Sequence, residues 1–244
     1  MIRLIAAHEL RSLFALPSTW VMLGVLEFLL GWSLLSRMDA WLELQPQLAQ
    51  LANAPGVTAS IAAPMCSMLS LLLLILTPLF TMRSFAEERR NQTDALLLSS
   101  PVTPRQLVLG KFFGVFGLCA LLIVAHLLLV GALALGTPLD RGLLFANLLG
   151  LLLLAMSYSA LGLYISTLTA QPIVAAIGGL ATLLGLWLAE ASSGDAEAIW
   201  HNIAPSAHFQ HLNAGLLDSA DIAFFLLFTL AFLLLATCRV RGQQ

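Results

Sequence analysis

Residues 107–135 read LVLGKFFGVFGLCALLIVAHLLLVGALAL, with Lys111 and His126 as the only basic side chains and no acidic one. A helix rises 1.5 Å per residue, so about 20 apolar residues cross a ~30 Å hydrocarbon core, and this run is longer than that. Helix is also the form in which a single segment satisfies its own backbone hydrogen bonds away from water. The stretch predicts a membrane-spanning helix.

Five further apolar runs carry the same signal, near residues 16–35, 61–82, 143–168, 172–189 and 222–238. The first is too long in its apolar part, and lacks the small-residue motif, for a cleaved signal peptide. Composition agrees: of 244 residues, 59% are hydrophobic and 10% charged, with a mean hydropathy of +0.93. A soluble domain carries about 25% charged residues, because its surface must be hydrated. The expected fold is therefore an all-α integral membrane protein of six transmembrane helices, forming one domain over residues 1–244. Cys66, Cys119 and Cys238 are scattered through apolar runs without paired spacing, so they predict buried hydrophobes rather than a disulfide or zinc framework. No basic patch with interleaved aromatics points to nucleic acid.

Orientation follows from the basic residues. Arg3, Arg11, Arg83, Arg89, Arg90, Arg105, Lys111, Arg239 and Arg241 fall on one side, and only Arg37 and Arg141 on the other. Nine against two predicts that both termini and the loop after the second span are cytoplasmic. Asp39, Glu43, Asp140, Asp195, Glu197, Asp218 and Asp221 gather on the opposite side. Residues 37–60 there, with Pro46, Pro55 and Gly56, predict a short amphipathic piece followed by a turn. Residues 190–221 hold His201, His208 and His211, whose spacing is a weak metal pattern. No metal site is expected from them, and amphipathic re-entrant structure is.

The loop 83–106 has the most chemistry. Helical composition runs from Arg83 to Leu98, with Glu87–Asn91 and Arg90–Asp94 four residues apart. Pro101 stops it. Thr103-Pro-Arg-Gln106 then matches a capping box with proline at the first helical position. Glu87, Glu88, Arg89 and Arg90 mix signs in a way that suits a protein groove better than a lipid anchor. Residues 1–15 place Ile2, Ile5, Leu10, Leu13 and Phe14 roughly on one face, which suits an amphipathic interface helix carrying Glu9 and Arg11. Glu27, deep in the first span, costs on the order of 3 kcal/mol unless protonated or paired. His126 in the third span is one candidate partner, and two readings stand: a polar lining of a pathway or proton-linked site, or a protonated carboxyl hydrogen-bonded between helices. No phosphate-binding loop, nucleophile elbow or zinc-protease pair occurs, so catalysis is not expected in this chain.

Four stretches taken in order resemble the permease subunits of type-2 ABC exporters (the ABC-2 family), most nearly the gliding-motility-associated, GldF-type branch. They are HELRSLF (8–14) before Pro17; RSFAEERRNQT (83–93) with LLSSP (97–101) and LGKF (109–112); GLYISTLT (162–169) with Gln171 and IVAA (173–176); and APSAHF (204–209) with GLLD (215–218) and Asp221. Pro172 and Glu27 depart from the pattern. The resemblance implies a permease working as a dimer, with itself or a sister chain, in the bacterial inner (cytoplasmic) membrane. It implies cytoplasmic ABC ATPase subunits that hold ATP and Mg, with no cofactor in this chain. Residues 83–99 would be the coupling helix, with Arg83, Glu87, Glu88, Arg89, Arg90, Asn91 and Asp94 at the ATPase contact. An alternative it allows is a membrane anchor that passes ATPase motion to an extracytoplasmic auxiliary subunit.

Overall fold

A computed structural model describes residues 1–48, 56–91, 103–192 and 202–242, and every regular element among them is helical. Helix α1 is Ile2–Ala15, α2 Pro17–Leu48, α3 Ala63–Arg90 with a π-helical lead-in over Thr58–Ala62, α4 Pro104–Gly131, α5 Arg141–Ser166, α6 Pro172–Ser192, α7 Pro205–Asn213 and α8 Ser219–Arg241. Six of these, α2 to α6 and α8, are long and apolar enough to cross a membrane. The chain is a multi-pass membrane protein. Because successive spans alternate in direction, Met1, Arg90, Thr103, the turn 167–171 and Arg241 share one end of the bundle. That end holds most of the basic residues and is called the basic end; the other is the acidic end.

Two expectations need correction. The first span does not stop near residue 35. The helix continues through Arg37, Asp39 and Glu43 to Leu48, so the piece expected after the first span is its own continuation, while residues 49–55 toward the expected turn lie outside the described residues. Residues 36–45 contain no glycine or proline, and Pro46 falls in the last turn, where few backbone bonds remain to break. At 32 residues, α2 is about 48 Å long, well over the hydrocarbon thickness. The second correction concerns the charged stretch after the second span. Its first eight residues are not a separate helix but the last turns of α3, because nothing between Met82 and Arg83 interrupts the helix. Asn91 ends it with φ −86° and ψ 1°, its N–H bonded to the Glu87 carbonyl. The helix expected to reach Leu98 therefore stops at Arg90; Asp94, Pro101 and the rest of 92–102 lie outside the described residues.

Helix α5 is the centre of the bundle. Small residues make it so: Ala155, Ser157, Ser159, Ala160 and Gly162 are all buried, and they let α3, α4, α6, α7 and α8 approach closely. A Cβ on Gly162 would sit 3.1 Å from both Cβ and Cγ2 of Thr81 in α3. Gly150 takes Phe209 and Leu212 of α7 in the same way. Since α7 reaches Gly150, nine residues into α5, it wedges into the bundle rather than lying on its rim. Asn213 secures it by donating to the Ala63 carbonyl (3.0 Å) and Ser67 Oγ (2.8 Å). Of the stretch 190–221 expected to be re-entrant, residues 193–201 lie outside the described residues.

Candidate functional site at the basic end

Helix α1 lies along the first turns of α4, and glycine is the reason. A Cβ on Gly110 would meet Ile5 Cβ at 2.6 Å, and one on Gly114 would meet Glu9 Cβ at 2.6 Å. The two glycines are four residues apart, as are Ile5 and Glu9, so the helices run side by side in one direction. The contact sets Glu9 beside Lys111. We expect Gly114→Leu to push α1 off α4, read as faster protease cleavage within residues 1–15. The cost is about 1–3 kcal/mol, as for other overpacked sites. Unchanged cleavage would contradict the close packing.

Lys111 is the hub of this end. Its side chain is 3% exposed, and Nζ lies 2.6 Å from Glu88 Oε1 and 3.6 Å from Glu9 Oε2. It also donates to the Ser84 carbonyl and sits 5.0 Å above the Phe85 ring. Ser84 Oγ donates to Glu9 Oε1 at 2.8 Å. An ammonium so buried must be hydrogen-bonded and charge-compensated, and here α1 and α3 each supply a carboxylate. The three helices α1, α3 and α4 are thereby joined by one charged cluster.

A second tie links α3 to the end of α5. Ser166 Oγ accepts from the N–H groups of Phe85 and Ala86 (both 3.2 Å) and donates to the Met82 carbonyl at 3.2 Å. The last turns of α3 are held on both flanks, by Lys111 on one and Ser166 on the other. Beyond these ties the helix surface is open. Arg83 Nε faces Glu87 Oε2 at 3.9 Å, with both side chains about two-fifths to one-half exposed. A cleft of about 230 Å³ lies between α1 and α3, bordered by His8, Glu9, Arg83, Glu87 and Asn91 among others. A larger one of about 500 Å³ lies between α3 and the start of α6. At its start α4 has the expected capping box: Thr103 Oγ1 accepts from Gln106 N, and Gln106 Oε1 accepts from Thr103 N.

The candidate residues thus divide. Arg83, Glu87, Arg90 and Asn91 reach the surface at the end of α3, and Arg11 is exposed on α1. Arg89 is half-buried. Glu88 and Glu9 instead turn toward Lys111, a role their exposed-looking sequence context conceals. Lys111 itself, Ser84 and Ser166 were not among the candidates. A lone lysine four residues inside an apolar run, flanked by Gly110 and Gly114, is the signal that could have found it. Glu27 and His126 are not brought together. Glu27 Oε1 and both ring nitrogens of His126 are buried without a hydrogen-bond partner, and no bond joins the two residues among those described. They sit on different helices, and their depth in sequence said nothing of which faces meet.

At the acidic end, His208 Nδ1 lies 2.6 Å from Asp221 Oδ1, and His211 Nδ1 lies 3.2 Å from Oδ2. Both histidines are spent on binding α7 to α8. Among the described residues, no group of three or more histidines, cysteines or carboxylates could hold a metal, and His201 lies outside them. Glu190 of α6 accepts from Ser206 Oγ (2.5 Å) and Gln210 Nε2 (3.2 Å) on the other side of α7.

Residues 40–238 match the family model described as ABC-2 family transporter protein. The chain belongs to the ABC-2 transporter family. The match takes in α3 to α7 and nearly all of α8, and leaves outside it α1 with its glutamate and the apolar part of α2. No curated protein matches the chain. As an ABC-2 family member it is the membrane component of a transporter and not itself a catalyst, so the basic-end cluster is read as mechanical rather than chemical.

Proposed function

We propose that this ABC-2 protein is the permease subunit of an exporter in the bacterial inner membrane. It pairs with a second permease, and cytoplasmic ATPase subunits that bind ATP and Mg drive it. The observation that carries the coupling is the braced end of α3. A helix that crosses the membrane and continues unbroken to Arg90 can pass force at its tip directly to its transmembrane part. The Lys111 cluster and Ser166 tie that tip to α1, α4 and α5, so displacement is shared instead of absorbed by a hinge. ATP binding moves the permease only if it has different affinity for its two states, and rigid linkage is what makes that difference felt at the spans. The gliding-motility-associated placement is supported by the four sequence stretches and adds no geometry.

Glu87 is the residue to test. Glu88 is engaged with Lys111, so reversing it would damage the fold and confuse the result, whereas Glu87 is about half exposed. Surface changes of this kind alter stability by at most about 0.5 kcal/mol. A like charge placed against a complementary groove costs several kcal/mol. Glu87→Lys should therefore leave insertion and thermal stability intact while lowering permease-dependent ATP turnover on the order of tenfold, measured on the complex purified with its ATPase. Unaltered turnover with normal assembly would remove the α3 tip from the ATPase contact.

A further inference from the structure

The ~500 Å³ cleft between α3 and α6 is lined by Met82, Arg83, Glu87, Arg90, Gln171, Pro172 and Ile173. Ser166 holds the α3 backbone at residues 82–86, which sets Arg83 level with the turn that starts α6. From that turn inward, α6 exposes Ile173 (71%), Val174 (50%) and Ile177 (62%), an apolar face suited to acyl chains. Pro172 therefore marks the hydrocarbon boundary. Arg90 lies seven residues beyond Arg83, about 10 Å further along the helix. The headgroup layer is roughly 5–8 Å deep on each side. The cleft spans that layer, with Arg83 at its floor and Arg90 rooted just beyond its outer edge, from where its long side chain can reach back.

Its charge is also informative. Arg90 is exposed and has no ion pair among the described residues. Arg83 has only the long contact with Glu87, which leaves most of its five donors available. Guanidinium groups bind phosphate in bidentate fashion and are weakly hydrated. Gln171 adds an amide at the same level. We infer that this cleft holds the headgroup of an anionic phospholipid, its phosphate between Arg83 and Arg90 and its acyl chains along Ile173 and Ile177. The apolar face leading from the floor commits the ligand to a lipid rather than a soluble anion. The second arginine favours a headgroup with net negative charge over one ending in a quaternary ammonium.

The test is native mass spectrometry of the full chain in detergent with equal amounts of phosphatidylglycerol and phosphatidylcholine. We expect phosphatidylglycerol to be retained preferentially, each arginine contributing about fivefold. Arg83→Gln and Arg90→Gln should each reduce the preference, and the pair should abolish it. Arg105→Gln, exposed at the same end but outside the cleft, should leave it unchanged. An equal loss with Arg105→Gln would mean diffuse electrostatic adsorption and overturn the proposal, as would equal retention of the two lipids. Soluble glycerophosphate displacing phosphatidylglycerol at millimolar concentration would assign the cleft to a free anion. Loss of bound phosphatidylglycerol from wild type when the ATPase is added would assign it to the protein partner.

Discussion

Lys111→Met is expected to lower the thermal unfolding temperature of the purified chain and to free α1 for proteolysis. The substitution keeps most of the volume but leaves Glu9 and Glu88 facing one another across a site built around an ammonium. Removing one partner of a buried ion pair costs about 3–5 kcal/mol. Glu9 and Glu88 keep 14% and 27% of their side-chain surface, so partial hydration brings the expected loss toward the lower end, about 3 kcal/mol. Adding Glu9→Gln and Glu88→Gln to Lys111→Met should recover part of that loss, because a fully neutral version of a buried pair is often close to the original in stability. Lys111→Arg should not substitute fully, since a planar fork does not fit where a compact ammonium reaches the Ser84 carbonyl and two carboxylates. Unfolding of Lys111→Met at the wild-type temperature would show that the cluster does not hold the basic end together.

Gly162 offers the second large effect. A Cβ there would press on the Thr81 hydroxyl and lie 3.1 Å from two of its carbons, and Thr81 has nowhere to turn. It is 1% exposed and its hydroxyl donates to the Thr77 and Pro78 carbonyls. Gly162→Ala should destabilise by about 1–3 kcal/mol, and Gly162→Leu should prevent assembly. Thr81→Ala removes the hydroxyl, which is the closest atom, and Cγ2, and keeps only the Cβ at 3.1 Å, so it should rescue much of Gly162→Ala, with a coupling of at least about 1 kcal/mol in the double-mutant cycle. Because Arg83 is two residues beyond Thr81, the alanine variant should also lose coupled ATP turnover faster than it loses folded protein. Absence of rescue would place the damage elsewhere on α5.

The spans were legible because hydropathy is a local property: residues 107–135 announce a membrane helix without reference to any neighbour. The start of α4 was legible for the same reason, since Thr103, Pro104 and Gln106 make their cap within four residues. What failed depended on contacts distant in sequence. Glu88 looks exposed until Lys111, 23 residues later, is placed beside it, and Glu9 is joined to Ser84 across 75 positions. Glu27 and His126 failed in the opposite direction, because depth in two spans does not determine which faces meet. The overlong α2 and α3 show the limit of hydropathy for ends. Apolar runs mark where lipid stops, and a helix stops only where its backbone is broken.

The central position of α5 bears on how the protein is made. Residues leave the ribosome in order, and domains tend to organise from the amino terminus as they emerge. Here the first three spans enter the bilayer before the helix that binds them exists. Until Ser166 appears, the backbone of α3 at Phe85 and Ala86 lacks its serine partner, and until Gly162 appears Thr81 has no surface to meet. The nascent first half can already join α1, α3 and α4 through Lys111, and the fourth span supplies the packing surface that completes the scaffold. Chains interrupted before that span should be handled by membrane quality control as orphans, even though each helix they contain is already inserted.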